Sequence, residues 1–274
     1  MKVLNGKELA DFVKERQAKQ VRNLRQEWKV IPRLAIIQTI DNPVIDTYVR
    51  LKRSYGDDIL VDVDIHKVDQ AELFSTIEML NDDTSVHGII IQLPLADVDA
   101  TQQAVDAVLL AKDVDGLATG SPFLPATPMA IDWLLAGYNV TLAGKKIAIV
   151  GNGRLVGAPL SALWKDQGKD VTVFDSSMSP DELSVTLREF DIIVTAVGKP
   201  RLIGTDSVKI GAVVIDAATS SEDGKIVGDV TDEVRQRDDL TMTPEKGGVG
   251  PLTVSALFEN VISAARATAK DAEN

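Results

Sequence analysis

The chain of 274 residues contains no cysteine, and that absence removes disulfides, zinc–thiolate centres, iron–sulfur clusters and thiol nucleophiles together. Histidine is nearly as scarce. Two of them, His66 and His87, leave almost no room for a multi-histidine site, so no metal is expected. Positive charge is also short: 29 Lys and Arg face 41 Asp and Glu, a formal charge of −12. Such a field repels a phosphate backbone and no basic patch interrupts it, so nucleic acid is not an expected partner. No apolar run approaches the roughly 18 residues that cross a bilayer, which argues against a membrane partner. Charge at Lys2 and Lys7 interrupts the N-terminal segment, so no secretory signal core forms and a cytoplasmic protein is expected.

What is present is 45% hydrophobic and 26% charged, enough apolar material for a large core and enough length for two modest domains. Hydrophobic periodicity alternates between helix-like and strand-like from end to end, the signature of an α/β fold with a mostly parallel sheet. In a first block, Leu9, Phe12, Val13, Val21, Leu24 and Trp28 mark one face of a long helix, and Pro32 introduces a strand at 34–38. A helix over 43–53, opened by Pro43, a half-buried strand over 59–65 and a helix over 71–80 follow. A strand at 88–93 and a helix over 101–110 complete the block. Residues 120–128, rich in Gly and Pro, read as a linker into a helix over 129–137. The second block has strands at 145–150, 171–174, 192–197 and 212–216, with a helix over 158–167. A final helix over 253–269 has Leu257, Val261 and Ile262 to bury and is expected to pack back on the first block.

Between a strand and a helix of the second block lies Gly151-Asn152-Gly153-Arg154-Leu155-Val156-Gly157, the context in which a glycine loop binds a dinucleotide. Small residues let the backbone approach a pyrophosphate, and the helix N-terminus adds unpaired N–H groups and partial positive charge. A tight turn with no ligand is the alternative. Asp175 ends the next strand, where an acid binds an adenosine ribose hydroxyl and repels a 2′-phosphate. That favours NAD over NADP, with Arg154, Ser176 and Ser177 able to reshape the pocket. The competing reading has Asp175 capping the serine-rich loop that follows it.

On the helix of the first block, Tyr48 and Lys52 stand four residues apart and share a face. Gln92 leaves a strand nearby in sequence order, and Lys112-Asp113-Val114-Asp115-Gly116 follows a helix. Ligands in α/β sheets collect at the carboxyl ends of strands, so a lysine, an amide, a carboxylate and an aromatic there suit a flat polar heterocycle. Either histidine is better placed for packing than for acid–base work.

In the same order along nearly the whole chain, Tyr48-Val-Arg-Leu-Lys52, His87-Gly-Ile-Ile-Ile-Gln-Leu-Pro-Leu95, the segment 112–116, Pro125-Ala-Thr-Pro128, the glycine loop, Gly198-Lys-Pro200 and Gly247-Gly-Val-Gly-Pro-Leu-Thr253 resemble bifunctional methylenetetrahydrofolate dehydrogenase/methenyltetrahydrofolate cyclohydrolases. The resemblance implies an N-terminal α/β folate-binding domain (1–124 with 252–274), a Rossmann-type domain (125–251) and a homodimer. It implies transfer of a hydride from 5,10-methylene-tetrahydrofolate to NADP or NAD, and hydrolysis of the methenyl product to 10-formyl-tetrahydrofolate. Carried over by residue, Lys52 is the central catalytic group, Tyr48 stacks on the folate, Gln92 orients the lysine and Asp115 binds the pterin edge, with Leu93 and Pro251 also at the substrate. Gly151, Asn152, Gly153, Arg154, Val156, Asp175, Ser176 and Gly198 form the implied cofactor-binding set.

The departures from the family pattern gather on the cofactor side. Asn152-Gly153 stands where Arg-Ser is usual, and Asp175-Ser176-Ser177 where His-Ser with a nearby basic residue is usual; both changes remove 2′-phosphate partners. Glu245-Lys246 replaces Val-Pro, Thr219-Ser220 replaces Ile-Asn, and Ile45 replaces a serine. The connection from Gly116 to Phe123 is short and lacks the usual His-Pro…Asn pattern. A member retaining only the cyclohydrolase, or one that binds without turnover, is the alternative these departures leave open.

Overall fold

Apolar runs without polar alternation, at 34–37, 88–91 and 147–150, require strands covered on both faces. In the computed structural model of the chain, which describes residues 1–222 and 225–271, they are fully buried strands of two parallel sheets. In chain order the elements begin β1 (Lys2–Val3), α1 (Gly6–Glu27), β2 (Arg33–Gln38), α2 (Pro43–Ile59), β3 (Asp62–Lys67), α3 (Leu73–Asp82), β4 (Gly88–Ile91) and α4 (Thr101–Asp106). They continue with α5 (Ala126–Gly137), β5 (Lys146–Val150), α6 (Gly157–Asp166), β6 (Asp170–Phe174), α7 (Pro180–Leu187), β7 (Ile192–Thr195) and β8 (Val213–Asp216). Last come β9 (Ser220–Glu222), β10 (Lys225–Val227), α8 (Asp232–Arg235), β11 (Thr241–Met242) and α9 (Val249–Asp271).

The chain forms two compact units, one of residues 11–126 with 254–274 and one of 1–10 with 127–253. Residues 272–274, part of the expected first domain, lie outside the described ones. The first unit holds a parallel sheet in the order β3-β2-β4. One face of it is covered by α3 and α4 through Ala35, Ile37, Ile77, Leu80, Ile89, Ile91 and Val105, all buried. The C-terminal helix returns to this unit, where Phe258 stacks on Tyr55 with ring centroids 5.1 Å apart. Buried Asn260 donates to Val114 O (2.8 Å) and Leu124 O (2.9 Å).

The second unit is built on a six-stranded sheet, β1-β11-β8-β7-β5-β6, parallel throughout. Its first ten residues belong here because β1 pairs with β11. The sheet order turns back between β5 and β7, and such a switch point opens a crevice at the carboxyl ends of the strands. Burial of Leu183, Leu187 and Phe190 against Val150, Phe174 and Ile193 seats α7 on one face.

Several local expectations shift. The strand expected over 59–65 starts at Asp62, because α2 runs on to Ile59 and stops at Leu60, which adopts the left-handed conformation (φ 65°) and returns its N–H to Asp57 O and Gly56 O. The resulting β3 is the half-buried edge strand the alternation implied. The helix expected to reach residue 110 ends at Asp106, and Phe12 is exposed rather than part of the buried face of α1. Helix α7, not among the expected elements, has a clear start in the sequence: Ser179 and Glu182 form a capping box around Pro180 at the first turn.

The αL turn at Leu60 is a position where glycine escapes a steric cost of about 1 kcal/mol or more. Leu60→Gly should therefore raise stability by about 0.5–1 kcal/mol after the added freedom of the unfolded chain is counted. A denaturant midpoint at or below that of the wild type would contradict this.

Candidate active site

Helix α2 supplies the first functional side chain, and its local sequence fixes its start: Asn42 accepts the N–H of Val44 (2.8 Å) and Pro43 occupies the first turn. Ile45, Val49, Gly56 and Ile59 are buried, which sets the helix rotation. Gly56 is required for that seat, since a Cβ there would lie 2.5 Å from Val63 Cγ2 and 2.9 Å from Val61 O. With α2 so placed, Lys52 Nζ donates to Gln92 Oε1 over 2.8 Å. Gln92 is the first residue beyond β4; its N–H is tied to Ile37 O (2.9 Å), and its side-chain Nε2 donates to Leu93 O (3.1 Å). That second bond turns the amide oxygen toward the lysine.

An amide oxygen accepts from an ammonium or an amine without adding a negative charge. Lys52 is accordingly held below the ordinary lysine range by burial, which the charge of Asp115 partly opposes. Burial pushes Asp115 up, while Lys52 pulls it down and Asp113 adds to the rise. A lysine that gives up its proton more readily than usual and a carboxyl group that holds one more tightly than usual are thus brought together in a poorly solvated place.

The segment 112–116 divides its labour residue by residue. Lys112 Nζ donates to three carbonyls at the end of α3, those of Leu80 (2.9 Å), Asn81 (2.7 Å) and Asp83 (2.8 Å). Asp113 is buried and closes the following turn by accepting from Ala118 N (2.9 Å). Val114 sits in the core. Gly116 has φ 69°, and a Cβ on it would meet Phe123 O at 2.6 Å. Only Asp115 is left to face Lys52. Tyr48, one turn before the lysine on α2, is 37% exposed and so available to a ligand; Leu93 is half-buried beside Gln92. His87 Nδ1 accepts the N–H of Arg33 (3.2 Å), a structural bond, and burial lowers its pKa. Pro251 belongs to the other unit, in the first turn of α9.

In that other unit a pocket of about 630 Å³ opens at the switch point, walled by Gly151, Asn152 and Gly153 after β5, Asp175, Ser176 and Ser177 after β6, and Ala196, Val197 and Lys199 after β7. Gly151 has φ 103° and donates to Phe174 O (2.7 Å). Gly157 begins α6 so close to the loop that a Cβ would lie 1.7 Å from Gly151 O. By contrast nothing lies within 4 Å of where a Gly153 Cβ would stand. The loop is packed on its inner side and open on its outer side, as a pyrophosphate cradle needs. Val156 caps α6, its N–H reaching Gly153 O (3.4 Å), and Gly198 (φ 76°) shapes the turn between Val197 and Lys199. Asp175 is exposed and accepts from Ser177, whose hydroxyl and N–H hold its pKa low. Asp175 thus caps the serine loop and also lines the pocket.

Residues 4–115 match the catalytic domain of tetrahydrofolate dehydrogenase/cyclohydrolase, and residues 125–269 its NAD(P)-binding domain. The chain belongs to the tetrahydrofolate dehydrogenase/cyclohydrolase family. The bifunctional protein FolD of Exiguobacterium sibiricum is 36% identical over 96% of this chain and 99% of its own. Among solved structures, the FolD methylenetetrahydrofolate dehydrogenase/cyclohydrolase of Campylobacter jejuni superposes with a TM-score of 0.91 at 33% identity, covering 98% of this chain and 99% of that one. The Trypanosoma brucei enzyme, solved with NADP and an inhibitor, gives 0.90 at 28% identity over 97% of both chains. Like them, this chain is an enzyme with a folate-side catalytic domain and a nicotinamide-nucleotide domain. Among the described residues no group of three or more His, Asp or Glu is arranged to hold a metal ion, and no helix is long and apolar enough to cross a membrane.

Some contacts that support the candidate site carry little signal in the sequence. Asn260 and Lys112 fasten the segment bearing Asp115 through long-range bonds to carbonyls, for which a single polar letter gives no local signal. Thr39 Oγ accepts from Ala96 N (3.0 Å) and ties the loop after Gln92 to the end of β2. A polar residue just beyond an apolar strand, as Thr39 is, was the available clue.

Proposed function

We propose that Lys52 is the central catalytic group and carries the proton transfers of the hydrolysis, held by Gln92 and balanced by Asp115, with Tyr48 and Leu93 against the folate ring. The 2.8 Å contact between Lys52 Nζ and Gln92 Oε1 carries this reading, because it presents a lysine of lowered pKa to the exposed carboxyl end of a parallel sheet. A nicotinamide dinucleotide, when bound, would supply the hydride acceptor that oxidises the methylene carbon to the methenyl cation. In the hydrolysis water adds to that carbon and neutral Lys52 takes one of its protons; the lysine returns this proton to the departing ring nitrogen while the remaining hydroxyl proton is released to solvent as the C=O of the 10-formyl product forms. Asp115 accepts from N–H groups of the pterin and fixes its orientation. The named relatives match over full length and favour both activities over a cyclohydrolase alone or a silent binding protein.

On the nucleotide side we propose NAD as the preferred cofactor, held by Gly151, Asn152, Gly153, Arg154, Val156, Asp175, Ser176 and Gly198. The ionised Asp175 at the pocket rim supports it, since a carboxylate accepts from a ribose 2′-hydroxyl and repels a 2′-phosphate. Methenyl formation should show a kcat/KM for NAD about tenfold above that for NADP, and Asp175→Ala should erase most of that ratio. A wild-type preference for NADP would overturn the assignment. The domain limits 1–124 with 252–274 and 125–251, changed in that residues 1–10 join the nucleotide unit through β1, a homodimer and a cytoplasmic location complete the reading, the dimer resting on the family resemblance and testable by sedimentation.

A further inference from the structure

Beneath the nucleotide pocket lies a buried acid that the reaction does not use. Asp229 is fully buried, on the segment between β10 and α8. Its carboxylate accepts from Thr195 Oγ (2.6 Å) at the end of β7, from Val197 N (2.9 Å) and from Lys199 N (2.7 Å). The last two N–H groups belong to the turn that forms one wall of the pocket. The ladder reaches one residue past β7, through the bond from Ala196 N to Val150 O (2.9 Å), and beyond it the bonds to Asp229 hold the backbone of the turn at Val197 and Lys199.

The acid is itself held from behind. Its N–H donates to Asp216 Oδ1 (3.2 Å), and its carbonyl accepts from Ile203 N (2.9 Å). Asp216, at the end of β8, is buried and paired with the guanidinium of Arg235 from α8. Gly228 makes that approach possible, since a Cβ there would fall 2.0 Å from Asp216 Oδ2. Ser220 Oγ adds one bond to Gly198 O (2.7 Å). A charged pair, a glycine and a buried carboxylate therefore form one connected support that ends on the pocket wall, and supporting bonds of this kind fix a binding surface to within fractions of an ångström.

We infer that Asp229 is a positioning residue for the dinucleotide, acting through the backbone of Val197 and Lys199. This rests on the reading that the pocket after β5, β6 and β7 is the dinucleotide site. An amide at this position would point an N–H₂ at one of the donors, so Asp229→Asn displaces the turn while preserving side-chain volume.

The full-length enzyme provides its own control, because methenyl hydrolysis needs no dinucleotide. In Asp229→Asn the dinucleotide KM and the dissociation constant from a nucleotide titration should rise about tenfold, with dehydrogenase kcat within about threefold and cyclohydrolase kcat/KM within about twofold of wild type. Thr195→Val, which removes one donor and leaves the carboxylate, should raise the dinucleotide KM about threefold and decides the matter if Asp229→Asn does not fold. A dinucleotide KM within twofold of wild type in the folded variant, or a parallel fall of both activities, would overturn the inference. Gly153→Trp separates it from the pocket reading. If the indole leaves dinucleotide binding intact, the pocket itself is misassigned and the inference falls with it; if it blocks binding while Asp229→Asn has no effect, only the role of Asp229 is lost.

Discussion

Lys52→Met should cut methenyl-tetrahydrofolate hydrolysis by about 10³-fold or more, the upper part of the range for losing a general acid–base group, while dinucleotide affinity stays within about twofold. Methionine is chosen because it keeps the length and apolar stem of lysine, so the packing of α2 is preserved and the loss reports the amine alone. Only neutral lysine can take a proton. Burial lowers the Lys52 pKa, so the neutral fraction, and with it cyclohydrolase kcat/KM, should rise with pH along a limb centred below the ordinary lysine value of 10.5. Asp115 is the group that opposes this shift. Removing its charge in Asp115→Asn should therefore move the limb to still lower pH, and separately weaken folate binding through the lost bond to the pterin. Undiminished hydrolysis in Lys52→Met, or a limb that moves up in Asp115→Asn, would remove the lysine from the role given to it.

How far such a site can be seen in sequence depends on what each residue touches. Tyr48 and Lys52 are legible because a helix places residues four apart on one face. The buried strands β2, β4 and β5 are legible because their runs are uniformly apolar, and the glycine loop because close packing at Gly157 and a positive φ at Gly151 demand the smallest residue. Ile59 misled for the opposite reason: it continues the alternation of Val61, Val63 and Ile65, yet it ends a helix whose stop rests on a leucine at a position glycine usually holds. The two-residue strands β1 and β11 are too short to show any period, although their pairing is what gathers the first ten residues into the nucleotide unit. Asp229, Asp216, Lys112 and Asn260 act across 13 to 146 positions. Each looks in sequence like one more polar residue of an acidic chain, and only the fold shows the backbone groups it binds, joined at Asp216 by the guanidinium of Arg235 and at Asp229 by the hydroxyl of Thr195.

The glycine loop yields the second large effect. Gly157→Ala adds one methyl group, but its carbon would stand 1.7 Å from the carbonyl oxygen of Gly151 and 2.8 Å from its carbonyl carbon, about half a normal contact for the first of these. No rotamer relieves a clash made by a Cβ against backbone. Either α6 moves away from β5 or the loop 151–153 moves into the pocket. The first is resisted by Trp164 and Leu160, both fully buried on α6, and by the bond from Trp164 Nε1 to Asp132 (3.0 Å). Since the loop faces open space on its other side, the loop should yield. Dinucleotide affinity is then expected to drop about 100-fold, the loss that follows when a backbone cradle shifts by about an ångström. Because Lys52, Gln92 and Asp115 are in the other compact unit, methenyl hydrolysis should stay within about threefold of wild type. Retained dinucleotide binding in Gly157→Ala would mean that the cofactor does not rest on this loop. Loss of hydrolysis together with binding would mean that the two units do not fold independently enough for the activities to be separated in this way.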